Sequence, residues 1–200
     1  MAFLELKNVY KSYKCASSRT DGLCDVNLQI EKGEFVAIPG YSGAGKSMLL
    51  SLIAGRTIPD SGSITLNGIS ITGPSPDCAL FLDDMGMRVA LSQTPQILLV
   101  SERLETLNTL ARIAAQDEIQ RIWSESHATV ILITNDVDEG ILLADRIIPL
   151  GSGPCATLGP SIPIALPRPR DRRELKARGR FQEIRNQVIN FLLGTHATFN

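Results

Sequence analysis

An α/β fold with a parallel core sheet and an N-terminal antiparallel β portion is predicted for this chain by three features of its sequence. Apolar bursts at 97–100, 130–133 and 147–150 alternate with segments of helical spacing, the order produced by right-handed strand–helix–strand crossovers. The bursts are unbroken by polar residues, as suits strands covered on both faces. Ahead of them, residues 3–9 and 24–30 alternate apolar and polar side chains, the mark of half-buried strands. Between the two regions a glycine-rich segment, residues 40–47, links an apolar strand to a helical pattern.

Taken in order, the strands at 3–9 and 24–30 are followed by Ile30-Glu-Lys-Gly33-Glu-Phe35, a tight turn into a strand at 35–38. Residues 46–54 carry helical apolar spacing and stop at Gly55. Asp60-Ser-Gly and Asn67-Gly68 bracket residues 63–66, a hairpin signal. Residues 69–77, with Gly73-Pro74 and Ser75-Pro76, read as a surface loop. Past the burst at 97–100, residues 107–126 are helical, with Leu107, Leu110, Ile113, Ala114, Ile119 and Ile122 as the buried stripe. A strand at 129–134, a short helix at 137–144 and a strand at 146–150 complete the alternation. Gly and Pro make 151–170 an irregular connection with room for one short strand, and 171–193 returns to helical composition. The expected division is a main domain at 1–160 and a Pro/Arg-rich connection with a C-terminal helix at 161–200.

Two hundred residues allow one domain with a real core, or one domain and an appendage. With 44% apolar and 20% charged residues, wholesale disorder is excluded. A net charge of −1 supplies no overall pull toward nucleic acid or anionic lipid. Cys15, Cys24, Cys78 and Cys155 are scattered, without a CxxC pair or a nearby His pair. That pattern points away from zinc and from a disulfide framework, and toward a reducing compartment. Charge interrupts the first apolar run too early for a signal peptide, and the bursts are far shorter than a bilayer span. The expectation is a cytoplasmic protein, reaching the cytoplasmic face of the inner membrane only through a partner.

The strongest chemical signal is Gly40-Tyr41-Ser42-Gly43-Ala44-Gly45-Lys46-Ser47, a complete G-x4-G-K-[ST], or Walker A, pattern. Glycines let the backbone curl so that successive N–H groups point at phosphate oxygens, and the following helix adds its positive end. Lys46 would reach the β- and γ-phosphates, and Ser47 would place its hydroxyl on Mg²⁺. The fold expectation sharpens to a P-loop NTPase binding ATP and Mg²⁺.

Around this loop the chain resembles a family. Leu4-Glu-Leu-Lys-Asn-Val-Tyr-Lys-Ser-Tyr13, Val26-Asn-Leu-Gln-Ile-Glu-Lys-Gly-Glu-Phe35, Leu49-Leu-Ser-Leu-Ile-Ala-Gly55 and Asp60-Ser-Gly-Ser-Ile64 are similar to ABC-transporter ATPase subunits. Ile71-Thr-Gly-Pro-Ser-Pro-Asp77, Thr134-Asn-Asp-Val-Asp-Glu-Gly140 and Pro167-Arg-Pro-Arg-Asp-Arg172 resemble the nitrate, bicarbonate and cyanate importer branch. The resemblance implies that Tyr13 stacks on adenine, that residues 40–47 hold the phosphates, and that the subunit works in a dimer under a membrane permease. It also implies ATP hydrolysis as the activity.

Several residues depart from that pattern. Met48 stands where the family has Thr, and Asp83 where it has a Gln that senses the γ-phosphate and Mg²⁺. Residues 85–90 resemble only the tail of the family signature and its helix, so the helical subdomain that docks on the permease is missing. Ser101 replaces an Asp that orients Mg²⁺ through water, while Glu102 keeps the position of the general base that polarises the attacking water. Asn108 replaces the Asp of the dimer-contact loop, and Asn135 replaces the switch His. Phosphoryl transfer depends on positioning and charge stabilisation, so these losses imply weak or absent turnover with nucleotide binding retained. An intact ATPase subunit, in a homo- or heterodimer, and a permease are the implied partners, with coupling to the permease in doubt.

Other polar groups have plainer readings. Asp136, Asp138 and Glu139 tempt a metal interpretation, but their place at a helix start suits capping and the helix dipole. Arg168, Arg170, Arg172, Arg173, Lys176, Arg178 and Arg180 suit a solvated helix face near a membrane partner. No aromatic residues interleave with them as nucleic-acid stacking would need. Two functions remain open: an importer's ATP-binding subunit or its remnant, and a non-catalytic nucleotide-binding or decoy protein, with a non-functional fragment as a third outcome.

Overall fold

The computed structural model describes residues 2–15, 18–81, 95–101 and 107–197. Its strands are β1 (Leu4–Cys15), β2 (Ser18–Ile30), β3 (Phe35–Pro39), β4 (Ser61–Leu66), β5 (Ile69–Ser70), β6 (Cys78–Phe81), β7 (Ile97–Val100), β8 (Thr129–Thr134), β9 (Arg146–Ile147) and β10 (Ile162–Pro163). Its helices are α1 (Lys46–Ile53), α2 (Thr109–Ser126), α3 (Val137–Leu143), α4 (Arg172–Leu175) and α5 (Gly179–Ala197).

Two sheets result. A four-stranded antiparallel sheet runs β2-β1-β4-β5, and a six-stranded sheet runs β10-β9-β3-β8-β7-β6. In the latter β9, β3, β8, β7 and β6 are mutually parallel, with β10 antiparallel at the edge. This is the parallel sheet that the apolar bursts predict, joined to the antiparallel β portion that the alternating N-terminal segments predict.

The two-residue period of the central strands divides the interior into two cores. Phe35, Ala37, Leu98, Val100, Val130 and Leu132 face one side, where they pack with α2, α3 and α5 through Ile119, Ile141 and Phe181. Val36, Ile38, Ile97, Leu99, Ile131 and Ile133 face the other, against α1 and the antiparallel sheet through Leu49, Leu52, Leu6 and Val26. Each side chain of this size buried in full contributes about 1.5–3 kcal/mol, so both faces of the sheet are sealed.

Several elements differ from the expectation, each for a local reason. In α2 the buried residues are Ala115, Gln116, Ile119 and Ile122. Leu110 lies off that stripe and is 80% exposed. Residues 69–77 begin with β5, which returns from β4 through a turn with Asn67 and Gly68 at positive φ. The strand β6 follows, a run of four apolar residues too short for periodicity to mark it as strand or helix. The strand expected at 146–150 is regular over Arg146–Ile147, and its bonding to β3 runs on through Ile148 N to Ala37 O at 2.9 Å and Leu150 N to Pro39 O at 2.7 Å. The C-terminal helical stretch is two helices, the first capped by Asp171 through the Arg173 and Glu174 amides.

The cysteine expectation is corrected outright. Cys24 and Cys155 form a disulfide with Cα atoms 4.8 Å apart. The cause is long-range pairing: Cys24 N donates to Ala156 O at 2.9 Å and Ala156 N to Gly22 O at 3.0 Å. This lays residue 155 against β2. A separation of 131 residues hides the pair from any spacing rule, so the scatter of cysteines carries no argument about compartment. No helix of the described residues is long and apolar enough to cross a membrane.

Only residues 82–96 connect β6 to β7, near the minimum of about a dozen for a crossover between parallel neighbours. The length alone leaves no room there for an additional helical subdomain. Asp83 and residues 85–90 lie outside the described residues, as does Glu102.

Candidate functional site

The site is built where β3 hands over to α1. Gly40 N donates to Thr134 O at 3.2 Å, tying the start of the loop to the end of β8, and Ala44 N donates to Tyr41 O at 3.1 Å. Gly43 and Gly45 hold φ of 83° and 91°, a region in which a side chain is strained. A Cβ on Gly45 would also meet Leu23 Cδ2 at 3.0 Å, whereas one on Gly43 would meet nothing within 4 Å. The loop is therefore packed on one side and open on the other. Lys46 is only 3% exposed, and its Nζ donates to the Tyr41 carbonyl at 2.8 Å, so the loop curls around its own lysine. Ser47, exposed on the first turn of α1, faces away from the core.

That arrangement fits a phosphate chain. The curl at Gly43 and Gly45, the lysine that follows it and the positive end of α1 occupy consecutive residues, the combination that suits bound phosphate. Ser47 would hold Mg²⁺, whose chemistry is to neutralise charge on the phosphate oxygens. The second position expected to support the metal is weaker. Ser101, buried after β7, offers a neutral hydroxyl in place of a carboxylate. Met48 packs its thioether against Gly22 of β2, an apolar contact in place of a hydroxyl.

Residues far apart in sequence meet beside the loop. Tyr13, residues 41–44 and residues 152–154 line one cavity of about 460 Å³. Tyr13 is 47% exposed. The wall at 152–154 was not anticipated. Its Gly/Pro content marks a loop, and its place beside the phosphate loop follows from the pairing of residue 156 with β2.

On the other side of the loop a cavity of about 720 Å³ is lined by residues 40–42, Arg112, residues 135–138, and Arg185, Ile189 and Leu192 of α5. Asn135 is exposed in it. Asp136 caps α3, accepting from the amides of Asp138 at 2.9 Å and Glu139 at 3.2 Å. Glu139 is buried and accepts from Thr134 Oγ1 and Gln116 Nε2 at 2.6 Å and from Arg112 Nε at 3.1 Å. Burial works against the Arg112 cation, but Glu139 and Asp136 outweigh it and raise its pKa. The three acidic residues are a cap and ion-pair partners, as their position at a helix start implies. Asn108 likewise caps α2, accepting from Ala111 N at 2.9 Å.

The arginine stretch is corrected in part. Arg170 is buried, donating to the carbonyls of Ala144 at 2.6 Å and Ile141 at 2.8 Å. Arg168 pairs with Asp145 at 2.9 Å and lies 4.3 Å from the Trp123 ring centroid, while Arg172 donates to Asp117 at 2.5 Å. Composition cannot separate such residues from solvated ones. The role of Arg168 and Arg170 depends on carbonyls exposed where α3 ends, and that of Arg172 on Asp117 of α2. Arg173, Lys176, Arg178 and Arg180 are exposed.

A family model described as ABC transporter matches residues 23–147. The chain is 28% identical over 255 residues to the bicarbonate transport ATP-binding protein CmpD of Synechococcus elongatus, covering 98% of this chain and 92% of that protein. The nitrate import ATP-binding protein NrtC of the same organism is 33% identical over 230 residues, covering 85% of this chain and 35% of its own length. The nitrate transport protein NasD of Klebsiella oxytoca is 27% identical over 250 residues, covering 94% of this chain and 95% of that protein. The alignment to CmpD is longer than this chain's 200 residues, so that relative carries residues with no counterpart here. A bacterial ABC transporter cassette solved as a dimer superimposes with a TM-score of 0.67 at 20% identity, covering 82% of this chain and 99% of that one, a likeness of fold.

Proposed function

The chain belongs to the ABC transporter family, and from that membership we propose that it is the ATP-binding subunit, or a remnant of one, of an importer for a nitrate-like inorganic anion. Residues 40–47 bind the phosphates of ATP, Tyr13 stacks on adenine, and Ser47 carries Mg²⁺. Residues 1–160 form the nucleotide-binding domain, and 161–200 the connection and C-terminal helix. The observation that carries this reading is that Tyr13 and residues 41–44 share one cavity beside the start of α1. The names of CmpD, NrtC and NasD support the anion class.

Turnover is weak on this reading. Ser101 and Asn135 stand where a carboxylate and an imidazole would serve phosphoryl transfer, and losing one such group costs about a hundredfold or more. Glu102 remains the candidate general base. The protein works at the cytoplasmic face of the membrane, paired with an intact ATPase subunit beneath a permease. In such a pair its phosphate loop faces the partner's signature, while the partner's own loop faces none.

Titration with a fluorescent ATP analogue, with and without Mg²⁺ and with Lys46→Ala as control, tests the binding. A wild-type signal no stronger than the variant's ends the claim. The neutral, buried Ser101 favours a second reading, a non-catalytic nucleotide-binding or decoy protein that holds ATP or an intact subunit without transport. Phosphate release that disappears in Glu102→Gln rules that second reading out.

A further inference from the structure

The nucleotide reading needs the Tyr13 ring to project beside the phosphate loop, and the backbone around it is held in an unusual way. The β1–β4 pairing runs from Leu4↔Leu66 to Tyr10↔Ser61, whereas β1 continues against β2 as far as Cys15↔Ser18. Past Tyr10, the β4 side of β1 runs beyond its ladder. The β1–β2 register also shifts between Lys11 and Ser12, an irregularity of the kind that re-aims the side chains following it.

Asp60, the residue just before β4, continues the ladder with its own groups. Its amide donates to Tyr10 O at 2.8 Å. Its carboxylate accepts from Ser12 N at 2.9 Å, Ser12 Oγ at 2.6 Å and Lys11 Nζ at 2.9 Å. Carboxylate bonds to a backbone N–H are among the stronger hydrogen bonds because one partner is charged. The Ser12 and Lys11 donors hold the carboxyl well below the usual carboxylate range, so the clamp is ionised at neutral pH.

We propose that Asp60 is a positioning residue for the adenine platform: by fixing the backbone at Tyr10 and Ser12 it sets the direction in which Tyr13 projects into the cavity. The inference rests on the reading of Tyr13 as the base-stacking residue. It separates two parts of nucleotide recognition. Base recognition depends on Asp60, while triphosphate binding, made by residues 40–47, does not. A purely structural role would weaken both together.

The test compares affinity for ATP and for inorganic tripolyphosphate, each with Mg²⁺, by calorimetry on the full chain. Tyr13→Ala is expected to lose about tenfold in ATP affinity, the size of a base–aromatic stack, with tripolyphosphate unchanged. Asp60→Ala should show the same selective loss, and the double variant should lose no more than Tyr13→Ala alone, because both act on one contact. Asp60→Ala with a wild-type ratio of the two affinities overturns the proposal. If that variant loses both ligands together through misfolding, the milder Asp60→Asn and Ser12→Ala decide, and unchanged ratios in them overturn it. A wild-type protein that binds neither ligand sinks the nucleotide reading and this inference with it, whereas a Tyr13→Ala variant with unchanged preference removes the stacking role and overturns this inference alone.

Discussion

Replacing Arg170 by Met keeps a long apolar stem and removes every donor from a guanidinium that serves the end of α3. That guanidinium donates to the carbonyls of Ala144 at 2.6 Å, Ile141 at 2.8 Å and Leu142 at 3.2 Å, and to Leu166 and Ile164 at 3.2–3.3 Å. Carbonyls at a helix end have no partner within the helix, so most of these acceptors have no substitute close by. Bonds to a charged donor contribute about 1.5–3 kcal/mol each. The two shortest alone give about 3 kcal/mol at the low end of that range. Burial of the cation offsets part of this, pushing the Arg170 pKa down to about 10 with help from Arg168. The carbonyls left unpaired add back about 1–3 kcal/mol of cost. The expected net loss is about 3 kcal/mol, or about 6–12 °C in Tm for a chain of this size. Thermal melts and urea titrations of wild type, Arg170→Met and Arg170→Lys measure it, with the lysine falling between. A methionine variant melting within about 2 °C of wild type would refute the account of Arg170 as an interior tie.

Three further outcomes are expected. Mg-ATP at a hundred times its dissociation constant should stabilise the wild type by about 2.7 kcal/mol, and Lys46→Ala should abolish that shift. An equal shift in the variant would mean that ATP binds elsewhere. Cys24→Ser, or reduction by a dithiol, should cost about 2–4 kcal/mol, and a Tm insensitive to reductant would contradict the Cys24–Cys155 bond. Burial, with the Asp77 carboxylate beside it, pushes the Cys78 thiol up to about 12, so at pH 8 it is a poor nucleophile. Native labelling by a thiol reagent should be unchanged in Cys78→Ala. Because burial lifts the folded pKa above that of an ordinary thiol, the Cys78 contribution to stability is complete below pH 9 and is lost as pH rises toward 12.

The central sheet was legible because both its faces are apolar, which leaves no competing interpretation for a run such as residues 129–134. The tight loop at residues 40–47 was legible because positive φ at Gly43 and Gly45 demands glycine at those positions. Leu110 misled because an apolar residue near a helix start looks the same whether or not anything covers it. The disulfide and the buried arginines were invisible for a different reason. Cys24 meets Cys155, and Arg170 meets Ile141, through contacts that exist only after the sheet has assembled. Asp60 read as no more than a turn residue. Its grip on Ser12 depends on where the β1–β4 ladder stops, and no local pattern reports that. Glu102, Asp83 and residues 85–90 fall outside the described residues, so their assignment stands on resemblance alone.

The link of residues 82–96 touches on how such a protein tolerates being trimmed. Among the described residues, the side chains that seal the two interiors lie before residue 82 or after residue 96. A crossover this short between two adjacent parallel strands is thus compatible with closed packing on both sides of the sheet.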